Sequence, residues 1–186
     1  MPNSTPLILL DRDGVINRDS PDYILSPAAW VPLPGSLAAI AQLTAAGYEI
    51  HVITNQSAVG RGMMSAQTLE DIHRKMLALV SEAGGQIQSI QICPHRPDQD
   101  CNCRKPKTGL LENVARLTGQ SLQGVWFLGD KLSDVETAIR FGCRPGLVMS
   151  GPKVPDQQAL TVLDQPISMF TNLAAFVEEV LGISTR

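Results

Sequence analysis

Residues 7–15 read LILLDRDGV: four aliphatic residues, Leu7 to Leu10, run straight into Asp11 and Asp13, two carboxylates one residue apart. Four residues are too few for a globular helix, whereas a short Ile/Leu run without polar alternation fits a strand covered on both faces. The same pattern recurs along the chain. Strands are expected at Leu7–Leu10, Glu49–Thr54, Ile90–Cys93, Val125–Leu128 and Gly146–Met149. Helical periodicity falls between them, at Ser36–Ala46, Ser65–Ala83, Thr108–Leu117 and Ser133–Phe141, three of these closed by Gly47, Gly84 and Gly142. Ser133 and Glu136 have the spacing of a capping box. A last amphipathic helix is expected at Asn172–Leu181, after a loop over Ser150–Gln158. Strand and helix in regular alternation predict an α/β fold, a Rossmann-like parallel sheet covered by helices on both faces.

Composition sets the outer bounds. A chain of 186 residues with 44% hydrophobic side chains is the size of one domain, read here as 1–186 with a metal loop at 93–103 inside it. A net charge of -3 argues against a sequence-independent nucleic-acid partner, which would need clustered Lys and Arg. No apolar run approaches the roughly 20 residues of a membrane span, and MPNSTP at the start lacks the features of a signal peptide. A cytoplasmic monomer that binds neither membrane nor nucleic acid is the expectation.

Open parallel sheets bind ligands at the carboxyl ends of their strands. That rule gathers Asp11 and Asp13 from the first strand, Thr54 and Asn55 from the second, and Gly129 and Asp130 from the fourth at one edge. Carboxylates so placed repel one another unless a cation or a shared proton offsets them. Mg2+ is a hard ion held by one or two carboxylates and a substrate phosphate, and it fits this set. The plainer alternative for Asp-x-Asp-Gly is a polar turn that caps a helix.

A second cluster lies in CPHRPDQDCNCRKP, residues 93–106, where Cys93, His95, Cys101 and Cys103 form C-x-H-x5-C-x-C. Three thiolates and one imidazole complete a tetrahedral Zn2+ site and leave no position for a reactive water, so the ion is read as structural. Cysteines that merely fall close in sequence are the alternative, and an oxidised pair is disfavoured in a reducing compartment. Arg104 and Lys105 follow the last ligand directly, so a bound ion would anchor the backbone that presents them. His51 within a strand, His73 within the long helix, Cys143, Met63, Met64, Met76 and Trp126 read as packing residues; Trp30 could be core or a sugar platform.

In their order and places, DRDGV at the first strand, ITNQS at the second, RKP before a helix and GDKLSD after the fourth strand resemble the haloacid dehalogenase superfamily of phosphatases. The resemblance spans about residues 7 to 150. It implies Asp11 as a nucleophile forming an aspartyl-phosphate and Asp13 as general acid and base. It also implies Thr54 and Lys105 as phosphoryl-binding groups, and magnesium on Asp11, the Asp13 backbone carbonyl and Asp130. Asp134 would orient Lys105 or a metal-bound water. The gaps between motifs hold no cap domain, so the fold is expected to be capless.

The zinc loop narrows the resemblance to two branches, the D-glycero-D-manno-heptose 1,7-bisphosphate phosphatases and the histidinol-phosphate phosphatases. The former is favoured by ITNQSAVGRG, by Asp19 and Tyr23 in INRDSPDYI, and by Lys131. On that resemblance Asp19, Tyr23, Asn55, Gln56, Ser57, Arg104 and Lys131 bind substrate; by charge, Arg61, Arg104, Lys131 and Lys153 could meet the second anion of a bisphosphate. The short spacer between His95 and Cys101 occurs in both branches, and RKPKTG departs from the Arg-Lys-Pro-x-Pro-Gly form common among heptose enzymes. Histidinol-phosphate hydrolysis stays as the alternative, and a catalytically inactive zinc-stabilised binding module as a third reading.

Overall fold

The computed structural model describes residues 5–152, 155, 160, 163 and 166–183. Six strands, β1 (Leu7–Leu10), β2 (Glu49–Asn55), β3 (Ser89–Cys93), β4 (Trp126–Gly129), β5 (Arg144–Val148) and β6 (Ser168–Phe170), form one sheet in the order β3-β2-β1-β4-β5-β6. Every pairing is parallel. The chain therefore winds outward from β1 to β3 and crosses back to place β4 on the other side of β1. Adjacent strands lead their connections away on opposite sides here, which opens a crevice beyond the ends of β1 and β4.

The helices are α1 (Ser36–Ala45), α2 (Ser57–Gly60), α3 (Ala66–Glu82), α4 (Gly109–Thr118), α5 (Leu132–Phe141) and α6 (Leu173–Leu181). Alternation along β1 feeds two cores. Ile8 and Leu10 pack with Ile40 and Leu43 of α1, Ile72 and Met76 of α3 and Phe176 of α6. Leu7 and Leu9 point the other way, into Leu110 and Val114 of α4, Phe127 and Ala138. A strand buried from both sides has no polar face to expose, which is why its sequence reads as an unbroken aliphatic run.

The structure departs from the sequence reading in several places. The strand β6 and the one-turn helix α2 were not anticipated. Ser133 and Glu136 do not cap α5; its start is Leu132, and the Asp134 carboxylate accepts the Lys131 backbone N–H at 3.1 Å. Met64 and Met76 are core residues as expected, but Met63 is 48% exposed. Trp30 is fully buried, and Lys75 Nζ donates to its carbonyl at 2.7 Å, so it packs rather than serves as a platform. Trp126 stacks edge-on with Phe170 and Phe176, at centroid distances of 5.9 and 5.3 Å. His51, His73 and Cys143 are buried. Of the loop expected at Ser150–Gln158, residues 150–152 and 155 are described; Lys153 lies outside the described residues.

Candidate active site

The backbone of Asp11 continues the sheet, its N–H donating to Leu128 O at 2.8 Å, so β1 delivers the carboxylate to the crevice at a fixed height. Asp11 Oδ1 accepts the Arg12 N–H at 2.8 Å and lies 2.8 Å from Lys105 Nζ. Lys105 Nζ also stands 2.6 Å from Asp134 Oδ1 and donates to Ile53 O at 2.9 Å. Its backbone is held by Asn55, whose Oδ1 accepts the Lys105 N–H at 3.1 Å and whose Nδ2 donates to the Lys105 carbonyl at 3.2 Å. Burial opposes the charge on Lys105, but Asp11 and Asp134 raise its pKa above the usual lysine range. The ammonium is thus fixed as a cation beside Asp11.

Asp13 is caged by donors. Arg12 Nη2 reaches Oδ1 and Oδ2 at 2.9 Å each, Asn17 Nδ2 reaches Oδ1 at 2.8 Å, and Gln56 Nε2 reaches Oδ2 at 2.7 Å. Burial would raise its pKa, yet the Arg12 charge and these hydrogen bonds bring it below the usual carboxylate range. Gln56 Nε2 also donates to Thr54 Oγ1 at 2.8 Å, which leaves the Thr54 hydroxyl proton free to point elsewhere. A small recess of about 40 Å³ lies among Asp11, Asp13, Thr54, Lys105, Lys131 and Asp134.

Asp130 stands apart from these paired groups. It is completely buried, and neither carboxylate oxygen makes a hydrogen bond among the described residues. Gly14, with φ +84°, and Gly151 press so closely on it that a Cβ at either position would overlap its carboxylate. Among the described residues the cation that pairs with it is Lys131, 3.3 Å from Oδ1, which also pairs with Asp19 Oδ2 at 3.0 Å. Burial, with the nearby Asp11 charge, pushes the pKa of Asp130 up to about 8, and burial pushes Asp11 to about 6. Burial opposes the charge on Lys131, which Asp11, Asp130 and Asp19 together raise above the usual lysine range. Oxygens of Asp11, Asp130 and Asp134 lie within 4.8 Å of one another. A buried, unbonded carboxylate beside two others is the donor set of a hard divalent cation, so these residues fit magnesium.

A larger cavity of about 610 Å³ opens over the recess, lined among others by Asp19, Tyr23, Ser57, Arg61, Arg104 and Lys131. Its floor includes Asn55 and Gln56. All seven residues assigned to substrate therefore border one space, although Asn55 and Gln56 also hold Lys105 and Asp13. The backbone of Tyr23 is left-handed, with φ 63°.

The sulfur-rich cluster lies beside this cavity. His95 Nδ1 is 3.6 Å from Cys93 Sγ and 3.2 Å from Cys103 Sγ, and the Cys93 and Cys101 sulfurs are 3.9 Å apart. A tetrahedron with arms of about 2.3 Å has edges of about 3.8 Å, so the four ligand atoms fit zinc. A disulfide would need sulfurs about 2.05 Å apart, and all four cysteines are free. Burial pushes the Cys93 thiol up to about 12, which marks a site where thiolates need a cation. The loop is tied to its surroundings by Arg104 Nη1, donating to His95 O at 3.2 Å, and by Gly60 N–H, donating to Pro94 O at 3.0 Å.

Sequence reasoning missed Arg12 and Asn17 as parts of the cage around Asp13, whereas the Asp134–Lys105 contact at 2.6 Å is one that the resemblance implied. The DRDG stretch displayed Arg12 beside Asp13, but His73, its other side-chain partner, is 61 residues away.

A family profile described as polynucleotide kinase 3 phosphatase matches residues 6–137, and one described as HAD-hydrolase-like matches residues 102–175. Fold and profiles together define a HAD-like hydrolase. The D-glycero-beta-D-manno-heptose-1,7-bisphosphate 7-phosphatase of Pseudomonas putida is 45% identical over 175 residues, covering 94% of this chain and 99% of its own. The D-glycero-alpha-D-manno-heptose-1,7-bisphosphate 7-phosphatase of Mycobacterium bovis is 39% identical over 146 residues, 77% of this chain and 76% of its own. A crystal structure of D,D-heptose 1,7-bisphosphate phosphatase from B. bronchiseptica, complexed with magnesium and phosphate, matches with a TM-score of 0.88 at 41% identity, covering 96% of this chain and 99% of that one. The chain belongs to the family of the heptose 1,7-bisphosphate 7-phosphatases.

Proposed function

We propose that this protein is a magnesium-dependent phosphatase that removes the 7-phosphate of D-glycero-D-manno-heptose 1,7-bisphosphate, acting as a cytoplasmic monomer in the synthesis of lipopolysaccharide heptose. The observation that carries the chemistry is the convergence of Asp11, Lys105 and the unbonded Asp130 at the ends of β1 and β4. The substrate is supported by the 45% identity to the Pseudomonas putida enzyme over nearly both chains.

Asp11 Oδ1 is occupied by Arg12 N–H and Lys105, so Oδ2 is the oxygen that attacks phosphorus. The new Asp11–phosphorus bond forms as the bond to the sugar oxygen breaks, and Asp13 gives a proton to the departing alkoxide. The phosphate charge in the recess raises the proton affinity of Asp13, which takes up a proton from solvent as substrate binds and passes it to the leaving oxygen. Water then attacks the same phosphorus, loses a proton to Asp13, and releases phosphate and the Asp11 carboxylate. Thr54 donates its free hydroxyl proton to a phosphoryl oxygen, and Lys105 neutralises charge that builds there. Asp11, Asp130 and the Asp13 backbone carbonyl would hold magnesium, which would supply electrostatic screening between the aspartates and the phosphate. Cys93, His95, Cys101 and Cys103 would hold zinc, which would fix the segment that carries Arg104 and Lys105. Arg104, Lys131, Arg61, Asp19, Tyr23 and Ser57 meet the sugar and its second phosphate.

The test is phosphate release with magnesium from both anomers of heptose 1,7-bisphosphate and from histidinol phosphate. Preference for a heptose bisphosphate is expected. Preference for histidinol phosphate would transfer the assignment to the other branch, and inactivity on all three would favour the binding-module reading.

A further inference from the structure

Arg12 is among the largest fully buried side chains of the molecule, and the phosphatase chemistry above gives it no step. Replacing a buried charge by a well-packed apolar residue is commonly neutral or stabilising, so its retention calls for a reason other than stability. Its guanidinium points two ways. Nε and Nη2 close on Asp13, with Oδ1 at 3.1 and 2.9 Å, while Nη1 faces His73 Nε2 at 3.1 Å. Arginine has no acceptor, so the imidazole must accept at Nε2 and carry its proton on Nδ1. Burial and the Arg12 charge lower the His73 pKa to about 4, which keeps the ring neutral and accepting. His73 belongs to the buried face of α3, between Ile72 and Met76, and is therefore fixed by the core.

We propose that His73 and Arg12 are positioning residues for the acid step: α3 holds the imidazole, the imidazole sets the plane of the guanidinium, and the guanidinium sets the direction of the Asp13 carboxylate. Asp13 sits in the turn between β1 and α1, and its other side-chain partners, Asn17 and Gln56, come from the same turn and from the end of β2. His73 is the contact that ties this group to a long helix. The inference rests on the reading of Asp13 as the proton donor to the leaving oxygen.

That dependence supplies the test. kcat/KM covers the reaction up to departure of the alcohol and is blind to the later hydrolysis of the phosphoenzyme. A sugar alkoxide needs the proton from Asp13, whereas 4-nitrophenolate leaves without one. His73→Leu, which removes the acceptor, is expected to lower kcat/KM on heptose 1,7-bisphosphate roughly tenfold and on 4-nitrophenyl phosphate by less than about threefold. His73→Gln, which restores an acceptor oxygen, is expected to recover the sugar reaction to within about threefold of the parent. Arg12→Lys keeps the charge but loses the fork, and it carries the same comparison should His73→Leu fail to fold. Asp13→Asn is the reference and is expected to show the same selectivity more strongly. Equal losses on both substrates in the His73 and Arg12 variants, with Asp13→Asn still selective, would overturn the positioning role alone. Equal losses in Asp13→Asn would overturn the acid assignment and this inference with it.

Discussion

The carboxylate site and the sulfur cluster are neighbours that solve the same problem by opposite means. Asp11, Asp13 and Asp130 stand at the ends of central strands, where ladder hydrogen bonds and two hydrophobic cores fix the backbone before any ion arrives. Cys101 and Cys103 stand in a loop whose side chains are only partly buried. Rigid strands can hold like charges in place and leave the ion to screen them. A loop that only borders a core would gain shape from an ion, so a metal on the sulfur cluster would stabilise local structure where one on the carboxylates would tune charge. Arg104 joins the two regions by bordering the larger cavity while donating to the His95 carbonyl.

Four perturbations test that contrast. Asp11→Asn keeps the shape of the side chain and removes a nucleophile, so turnover should fall on the order of 10⁴-fold or more while the melting temperature is kept; unchanged turnover in a steady-state assay would break the account at its first region. Cys101→Ser should act in reverse order, through structure. Its zinc content should fall together with its melting temperature, by on the order of 10 °C for a loss of about 3 kcal/mol, with activity lost as a consequence. Full zinc by elemental analysis would remove Cys101 from the ligand set.

Arg104→Ala tests the bridge between the regions. Losing one charge-assisted contact to the second phosphate should lower the preference for bisphosphate over monophosphate roughly tenfold in kcat/KM. Equal losses on both substrates would assign Arg104 to general phosphate binding.

The smallest effect concerns stability without metal. The folded pKa values of Asp11 and Asp130, about 6 and about 8, lie above their ordinary value of 3.8. The folded state therefore binds more protons than the unfolded one between these values. Stability from these groups is complete below pH 3.8 and is lost as pH rises through 6 and 8. Metal-free protein should melt a few degrees lower at pH 8.5 than at pH 6, roughly the shift expected for one or two kcal/mol, and magnesium should flatten the difference. A magnesium-free melting curve that is flat across this range would mean the carboxylates are not crowded.

The same contrast explains what the sequence made legible. β1 was readable because burial on both faces forces an aliphatic run, and the sulfur cluster because its four ligands fall within eleven residues. β6 was not, since SMF is three residues long at a sheet edge and Met169 is half exposed. The start of α5 was misread because the Ser133–Glu136 spacing looks like a cap while Asp134 supplies the acceptor to Lys131 N–H. The cage around Asp13 was hidden for a different reason. Arg12 meets His73, 61 residues away, and such a pairing is set by how α3 crosses the sheet, not by local pattern.

The most direct test is to quench the protein in acid during turnover of 4-nitrophenyl phosphate with magnesium and map the attached phosphoryl group by peptide mass spectrometry. The account predicts one phosphoryl group on the peptide that contains Asp11, absent when Asp11→Asn is treated in the same way. Sustained turnover with no phosphorylated peptide, or with the group on another residue, would contradict it.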